Sequence, residues 1–412
     1  MEPVTDRLDS LEPLARPGTP LGDLAARLRE AGHQAYVVGG SVRDALLGAP
    51  SSDLDVTTDA RPEQIRSVVD GWADAVWLQG ERFGTVGVVR GGVAIEITTF
   101  RADVYRADSR KPTVTYSDSI EADLARRDFT VNAIAAELPS LQLVDVFQGR
   151  ADLEAKLLRT PQSADVSFTD DPLRMLRAAR FVSTYGLTAV PEVIDAMRRH
   201  RNRLAIVSAE RIHGELLKLI CAEDPEPGFR LLAGTGVLAE FLPEPVRVSE
   251  LRRVRAEELP RFTVLFADTD PRQARHRLHA LRGSASTIAG VTRLLTLMQR
   301  AQAAVNAGHL SRPTLRELAL AAGSDLSTLL EVLRALDRVA PIATAIEELG
   351  ATESLDGPDS SFDGTAVMAY LGLESGRAVG DALKALREAR IQRGPLDDDA
   401  AREVLDAWAR DR

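Results

Sequence analysis

The chain has 412 residues, 44% of them hydrophobic and 27% charged. That balance excludes collagen-like, disordered and disulfide-scaffold proteins, and the length accommodates two to four domains. No apolar run of about 18 residues is present to span a bilayer. The first residues lack the basic-then-apolar pattern of a signal peptide, and the single cysteine, Cys221, forbids an internal disulfide or a cysteine metal cage. A cytoplasmic protein without a membrane partner is therefore expected. A net charge of −10 argues against nucleic acid as a partner. The basic residues nevertheless cluster at Arg174, Arg177 and Arg180, in 198–203 and in 272–282, as either solvated helix faces or an RNA-binding surface.

In chain order, β-rich runs at 35–40, 54–58, 85–89 and 93–100 alternate with helical patterns and Gly/Pro turns. Between Phe100 and Arg126 the polar run without helical period predicts a mobile loop. After about residue 150 the strand signal gives way to Leu/Ala/Arg segments with apolar residues at three- and four-residue intervals, as in 151–159, 171–182 and 210–220. The expected fold is α+β, a small mixed β-sheet head followed by an all-α neck, body and tail. Punctuation at 222–228 and 349–364 helps to divide it into 1–150, 151–225, 226–345 and 346–412.

The chemistry concentrates between Tyr36 and Thr58, which read as strand, Gly-Gly turn, helix, loop and strand. Gly39 and Gly40 let backbone N–H groups approach a triphosphate at the start of a helix, where the dipole favours an anion. Ser41 adds a hydroxyl there and Arg43 a charge. Asp53 and Asp55 alternate in a strand and so face one way, offering hard oxygen ligands to Mg²⁺; two such ions activate a hydroxyl and hold a leaving pyrophosphate.

The combination GGxVRDxLLG followed by DxD resembles the polymerase-β-like nucleotidyltransferase superfamily, and within it the class II branch of CCA-adding enzymes and bacterial poly(A) polymerases. The resemblance implies that Asp53 and Asp55 are metal ligands, with Gly40 and Arg43 at the nucleotide phosphates. Glu96 is either the third carboxylate of such sites or a strand-edge glutamate in a charge pair. RRDFTVNAIA (126–135) is similar to the family's second motif and makes Arg127, Asp128 and Asn132 candidates for the sugar and phosphate region. LVDVFQGRADL (143–153) resembles a head-to-neck connector, with Asp145, Gly149 and Asp152 holding its pattern. DDPLR (170–174) resembles the amino-acid template that chooses C or A without a nucleic-acid guide. On that reading Asp171 and Arg174 share one helix face and pair with the base, and Arg177 and Arg180 reach its phosphates or ribose. Glu210 and Arg211 brace that helix from ERxxxEL.

The resemblance is dense over 35–220. Many relatives continue into an HD phosphohydrolase domain, but none of the six histidines here precedes an aspartate, and Phe266-Ala267-Asp268 stands where such a signature would fall. No phosphohydrolase activity is expected. Residues 363–394, with Gly372, Gly376 and Gly380, resemble a tail that grips the tRNA acceptor and T arms by shape. Together these features imply CCA addition to tRNA from CTP and ATP by a monomer or homodimer. A poly(A) polymerase or an A-adding enzyme stands as the alternative, ahead of a small-molecule nucleotidyltransferase or an inactive RNA-binding paralogue. The full-length 101–125 run favours CCA or A addition over CC-only addition.

Overall fold

The computed structural model describes residues 8–49, 54–101, 104–106, 109–113, 115–308, 310–337, 339–355 and 361–411. Asp53 lies outside them. The chain forms two compact units, one of residues 1–219 with 227–243 and one of 220–226 with 244–412.

In the first unit α1 (Pro20–Glu30) leads into β1 (Ala35–Val38), α2 (Gly40–Leu46), β2 (Leu54–Thr58), α3 (Pro62–Val69), β3 (Ala75–Trp77), β4 (Thr85–Arg90) and β5 (Val93–Thr99). Next come β6 (Val104–Arg106), β7 (Ser109–Thr113), α4 (Ile120–Ala125), β8 (Ala135–Glu137) and β9 (Leu143–Val144). A seven-stranded sheet results, in the order β3-β4-β5-β2-β1-β8-β9. Only β2 and β5 pair in parallel, so the sheet is mixed. Alternation sets its two faces. Val37, Val56, Val86, Val88, Ile95 and Ile97 bury one face, where α3 packs on β4 and β5 and α1 on β1. Tyr36 and Val38 on the other face join Phe100, Ile120, Leu124, Ala133 and Ala135 in a second core.

The run 101–125, expected as a loop, carries secondary structure in its described residues. Its described residues form an antiparallel β6–β7 hairpin closed by an Arg101–Tyr116 bridge, followed by α4 with Ser119 as N-cap. Polarity hid these elements because strands of three and five residues and a six-residue helix carry too little periodicity to read.

The remaining elements of this unit are α5 (Gly149–Glu154), β10 (Leu157–Leu158), α6 (Ala164–Asp170), α7 (Arg174–Tyr185), β11 (Thr188–Ala189), α8 (Pro191–His200), α9 (Ala209–Ile220), α10 (Glu226–Thr235) and α11 (Val237–Phe241). Past residue 150 the described strands are only the short parallel pair β10–β11. The connector motif ties the head's Thr130 turn to this helical part. Asp145 caps the start of α5 through the N–H groups of Gly149 (2.7 Å) and Arg150 (3.0 Å), and Asp152 accepts the Thr130 hydroxyl at 2.7 Å. A Cβ on Gly149 would lie 2.1 Å from the Thr130 carbonyl oxygen, so only glycine fits there.

The second unit is helical throughout its described residues: α12 (Glu258–Leu265), α13 (Pro271–Ala280), α14 (Ala285–Asn306), α15 (Arg312–Ala322), α16 (Leu326–Ala335), α17 (Ala340–Gly350), α18 (Gly364–Leu371), α19 (Arg377–Arg393) and α20 (Asp398–Arg410). Asp268 is held by Arg247 through a two-pronged ion pair at 2.9 and 3.0 Å. The last three helices enclose a small core of Val367, Val379, Ala382, Leu386, Ala401 and Leu405. No helix among the described residues is long and apolar enough to cross a membrane.

Candidate active site

The β1–α2 turn reverses the chain with Gly39 at φ +70° and ψ −127°, a conformation reserved for glycine. A Cβ there would also stand 2.9 Å from Nη1 of Arg127. Ser41, buried at the start of α2, accepts the backbone N–H of Asp55 through its hydroxyl at 3.3 Å, fixing α2 against β2. Asp55 and Glu96 are register partners across the parallel β2–β5 pair, so their side chains leave the same face of the sheet. Asp55 is half-buried and Glu96 exposed.

Beside Asp55 opens a cavity of about 230 Å³ lined by Val38, Asp55, Val56, Thr85, Thr98, Arg101, Arg126 and Arg127. Three arginines around one aspartate suit a polyanion. One residue directs two of them and pins the backbone of the third, whose guanidinium donates to the Phe83 carbonyl. Asp123, with no exposed surface, accepts Nη2 and Nε of Arg126 at 2.6 and 3.1 Å, Nη2 of Arg127 at 3.1 Å and the backbone N–H of Arg101 at 3.2 Å. Burial works against its charge, but the Arg127 and Arg126 guanidiniums hold its carboxyl below the usual carboxylate range.

Arg43, Asn132, Asp128 and Arg177 form a second, continuous network. Arg43 is buried and does not line the cavity: it donates to Asn132 Oδ1 at 2.6 Å and to Asp44 Oδ1 at 2.7 and 2.9 Å, with its guanidinium 4.1 Å from the Tyr185 ring centre. Asn132 passes the chain on to Asp128 Oδ1 at 3.0 Å, and Arg177 grips Asp128 Oδ2 at 2.5 and 2.9 Å. Burial would raise the Asp128 carboxyl; the Arg177 guanidinium and the hydrogen bonds outweigh it and keep the group ionised well below the ordinary range. Glu215 then binds Arg177 at 3.3 Å and Arg180 at 2.7 Å.

Asp171 and Arg174 are not neighbours on one helix face, which corrects the sequence expectation. The helix α6 ends at Asp170, Asp171 is extended (φ −139°, ψ 98°), and α7 begins at Arg174. Asp171 is instead clamped by Arg211 at 2.6 and 3.3 Å, while Arg174 donates to Ser167 Oγ at 2.8 Å and to the Arg126 carbonyl at 2.5 Å. The bracing expected of Arg211 is thus a direct ion pair to the aspartate, and Glu215 in the same helix holds the two arginines further along.

Sequence reasoning missed Asp123, Arg101, Arg126 and Glu215. Asp123 lies three and four residues before Arg126 and Arg127, a spacing that signals helical ion pairs. Glu215 was inside the quoted ERxxxEL string, without a signal for its distant partners.

A mixed sheet presenting a carboxylate pair beside a glycine turn and an arginine-lined cavity defines a nucleotidyltransferase head. Residues 35–159 match the poly A polymerase head domain, and 186–247 match the probable RNA and SrmB-binding site of polymerase A. Over these two stretches the chain is similar to the poly(A) polymerase family. It is 41% identical over 236 residues to the CCA-adding enzyme of Geobacillus thermodenitrificans, covering 57% of each chain. With the CCA-adding enzyme of Latilactobacillus sakei it shares 40% over 212 residues, 51% of this chain and 52% of the relative. These matches span about half the length of the curated relatives. In three dimensions it is similar to the Bacillus stearothermophilus CCA-adding enzyme in complex with CTP, at a TM-score of 0.74 and 26% identity over 94% of this chain and 96% of that one. It also shares the fold of the Thermotoga maritima CCA-adding enzyme complexed with tRNA, at a TM-score of 0.66 and 20% identity over 99% of this chain and 100% of that one.

Proposed function

We propose that this chain adds nucleotides to the 3′ end of tRNA, completing the CCA sequence from CTP and ATP. The observation that carries the chemistry is the facing pair Asp55 and Glu96 beside the cavity of Arg101, Arg126 and Arg127. The likeness to relatives named CCA-adding enzymes supports tRNA as acceptor. In each cycle the RNA 3′-hydroxyl oxygen forms a bond to the α-phosphorus. The bond from that phosphorus to the bridging oxygen breaks, pyrophosphate leaves with the electron pair, and the hydroxyl proton passes to water. Asp55 and Glu96 are hard oxygen donors on one face and suit Mg²⁺, with Asp53, two positions before Asp55, as the further ligand. When bound, two Mg²⁺ ions supply activation of the hydroxyl and neutralisation of the leaving charge.

The arginine cavity receives the triphosphate, with the Gly39–Gly40 turn and Ser41 at its edge. Asp128, Asn132, Arg43 and Arg177 shape the sugar side, and Asp171, clamped by Arg211, presents with Arg174 the edge that selects the base, while Arg180 is held on Glu215. Arg43 serves this reading from behind, by orienting Asn132.

The test is direct: purified protein is incubated with tRNA lacking its CCA, or ending in CC, and each labelled nucleotide. C then C then A on the first substrate and a single A on the second are expected. Long A tails on unrelated RNA would replace this reading with a poly(A) polymerase. Asp55→Ala should lower transfer on the order of a thousandfold, with unchanged melting and tRNA binding.

A further inference from the structure

Trp77 sits on the edge strand β3, opposite Gly87 of β4. A Cβ on Gly87 would fall 1.8 Å from Cε2 and 2.2 Å from Cζ2 and Nε1 of the indole, so the ring covers the space above that glycine. Gly87 is in turn the register partner of Glu96, and Glu96 of Asp55. Register partners share a face, so the indole lies on the face that carries both carboxylates. Neighbouring strands run about 4.8 Å apart, which puts the ring over a point roughly 10 Å from the Asp55 backbone. Trp77 is only half-buried. An aromatic over a strand glycine stabilises the sheet with one of its π-faces. That role uses one face, and half-burial leaves part of the ring beyond it open to solvent.

The lateral order of the sheet gives the other face a use. In-line transfer requires the attacking hydroxyl and the leaving pyrophosphate on opposite sides of the α-phosphorus. The Gly39 turn and Arg127 stand on the β1 side of Asp55, and Trp77 stands on the β4 side. The arginine cavity spans both sides, from Val38 and Arg127 to Thr85 and Thr98; with the leaving phosphates at its Gly39 and Arg127 end, the acceptor approaches the other end, across Glu96. A single-stranded RNA end has no base-pairing partner there, and an indole face stacks any base without regard to its identity. That tolerance is required of a platform that receives a different terminal nucleotide after each addition.

We infer that Trp77 is a binding residue for the acceptor, stacking the 3′-terminal base of the RNA on the indole face turned away from Gly87. The inference rests on the proposed RNA nucleotidyltransferase reading and adds to it the place of the primer end.

Trp77→Leu keeps an apolar cover over Gly87 but removes the π-face, and Trp77→Phe keeps both. Steady-state transfer to tRNA lacking CCA should show KM for the RNA raised about tenfold or more in Trp77→Leu, the loss of one stacked base. KM for CTP should change less than twofold, and Trp77→Phe should stay near the wild type. Intrinsic tryptophan fluorescence of the wild type should be quenched by this tRNA, with the quenching much reduced in Trp77→Phe. Equal KM values for RNA in the Leu and Phe variants, or a parallel rise in KM for CTP, would overturn the inference and leave Trp77 as cover for Gly87. Failure of the wild type to extend any RNA would instead sink the functional reading itself.

Discussion

Asp123→Asn removes one charge from the group that directs Arg126 and Arg127 at the cavity. The amide keeps one oxygen acceptor but turns an NH₂ donor toward a guanidinium that is itself only a donor. Breaking a buried ion pair by removing one partner costs about 3–5 kcal/mol. The Arg126 and Arg127 side chains remain 18% and 19% exposed, so water restores part of their solvation and the lower figure applies. A loss of about 3 kcal/mol corresponds to a melting temperature lower by about 6–12 °C for a unit of this size. The same change frees Arg127 and Arg126 from their fixed directions, so KM for CTP should rise by roughly tenfold to a hundredfold with a smaller change in kcat. The pH dependence has a definite sign. The folded Asp123 carboxyl is depressed, so its stabilisation is present above the unfolded value near 3.8 and is lost as pH falls through the folded value. The gap between wild type and Asp123→Asn should be constant from neutrality to about pH 5 and close below about pH 4. Scanning fluorimetry across pH and initial-rate kinetics measure both effects. A variant melting within 2 °C of the wild type at pH 7 with an unchanged KM for CTP would refute the assignment of Asp123 as positioning residue.

Two further substitutions probe other joints of the site. Gly39→Ala should destabilise by about 1–3 kcal/mol through its positive φ and, by displacing Arg127, lower kcat/KM for CTP on the order of tenfold or more; normal kinetics in a less stable variant would separate the turn from the cavity. Arg211→Met leaves Asp171 without its two-pronged partner. Discrimination against UTP in a competition assay should then fall by roughly tenfold while CTP incorporation falls less, and unchanged discrimination would mean that Asp171 does not depend on Arg211 for its direction.

The helical second half was legible because Leu/Ala/Arg periodicity over ten or more residues has one solution, and the β-rich runs at 35–40, 54–58, 85–89 and 93–100 marked four of the head's strands, though not their order in the sheet. The error at Asp171 was avoidable in principle. Pro172 follows it, and a residue before proline is driven out of the α region, which is where the structure breaks the helix. What no local pattern carried was the long-range closure of the site. Arg177 meets Asp128 across 49 residues, Arg180 meets Glu215 across 35, and Arg43 meets Asn132 across 89. Such pairs exist only once the fold has brought them together, so the motifs named the participants and left their partners open.

The Arg43-to-Arg180 network has a further consequence. Its three guanidiniums, Arg43, Arg177 and Arg180, are matched by three carboxylates, Asp44, Asp128 and Glu215. A wall that is electrically balanced before a nucleotide arrives has little net attraction for anions, so whatever it contributes to recognition comes from exchanging hydrogen bonds. Fidelity should therefore be nearly indifferent to ionic strength even where nucleotide affinity is not. It also follows that these positions drift together or not at all during evolution, since any single replacement strands a neighbour's charge.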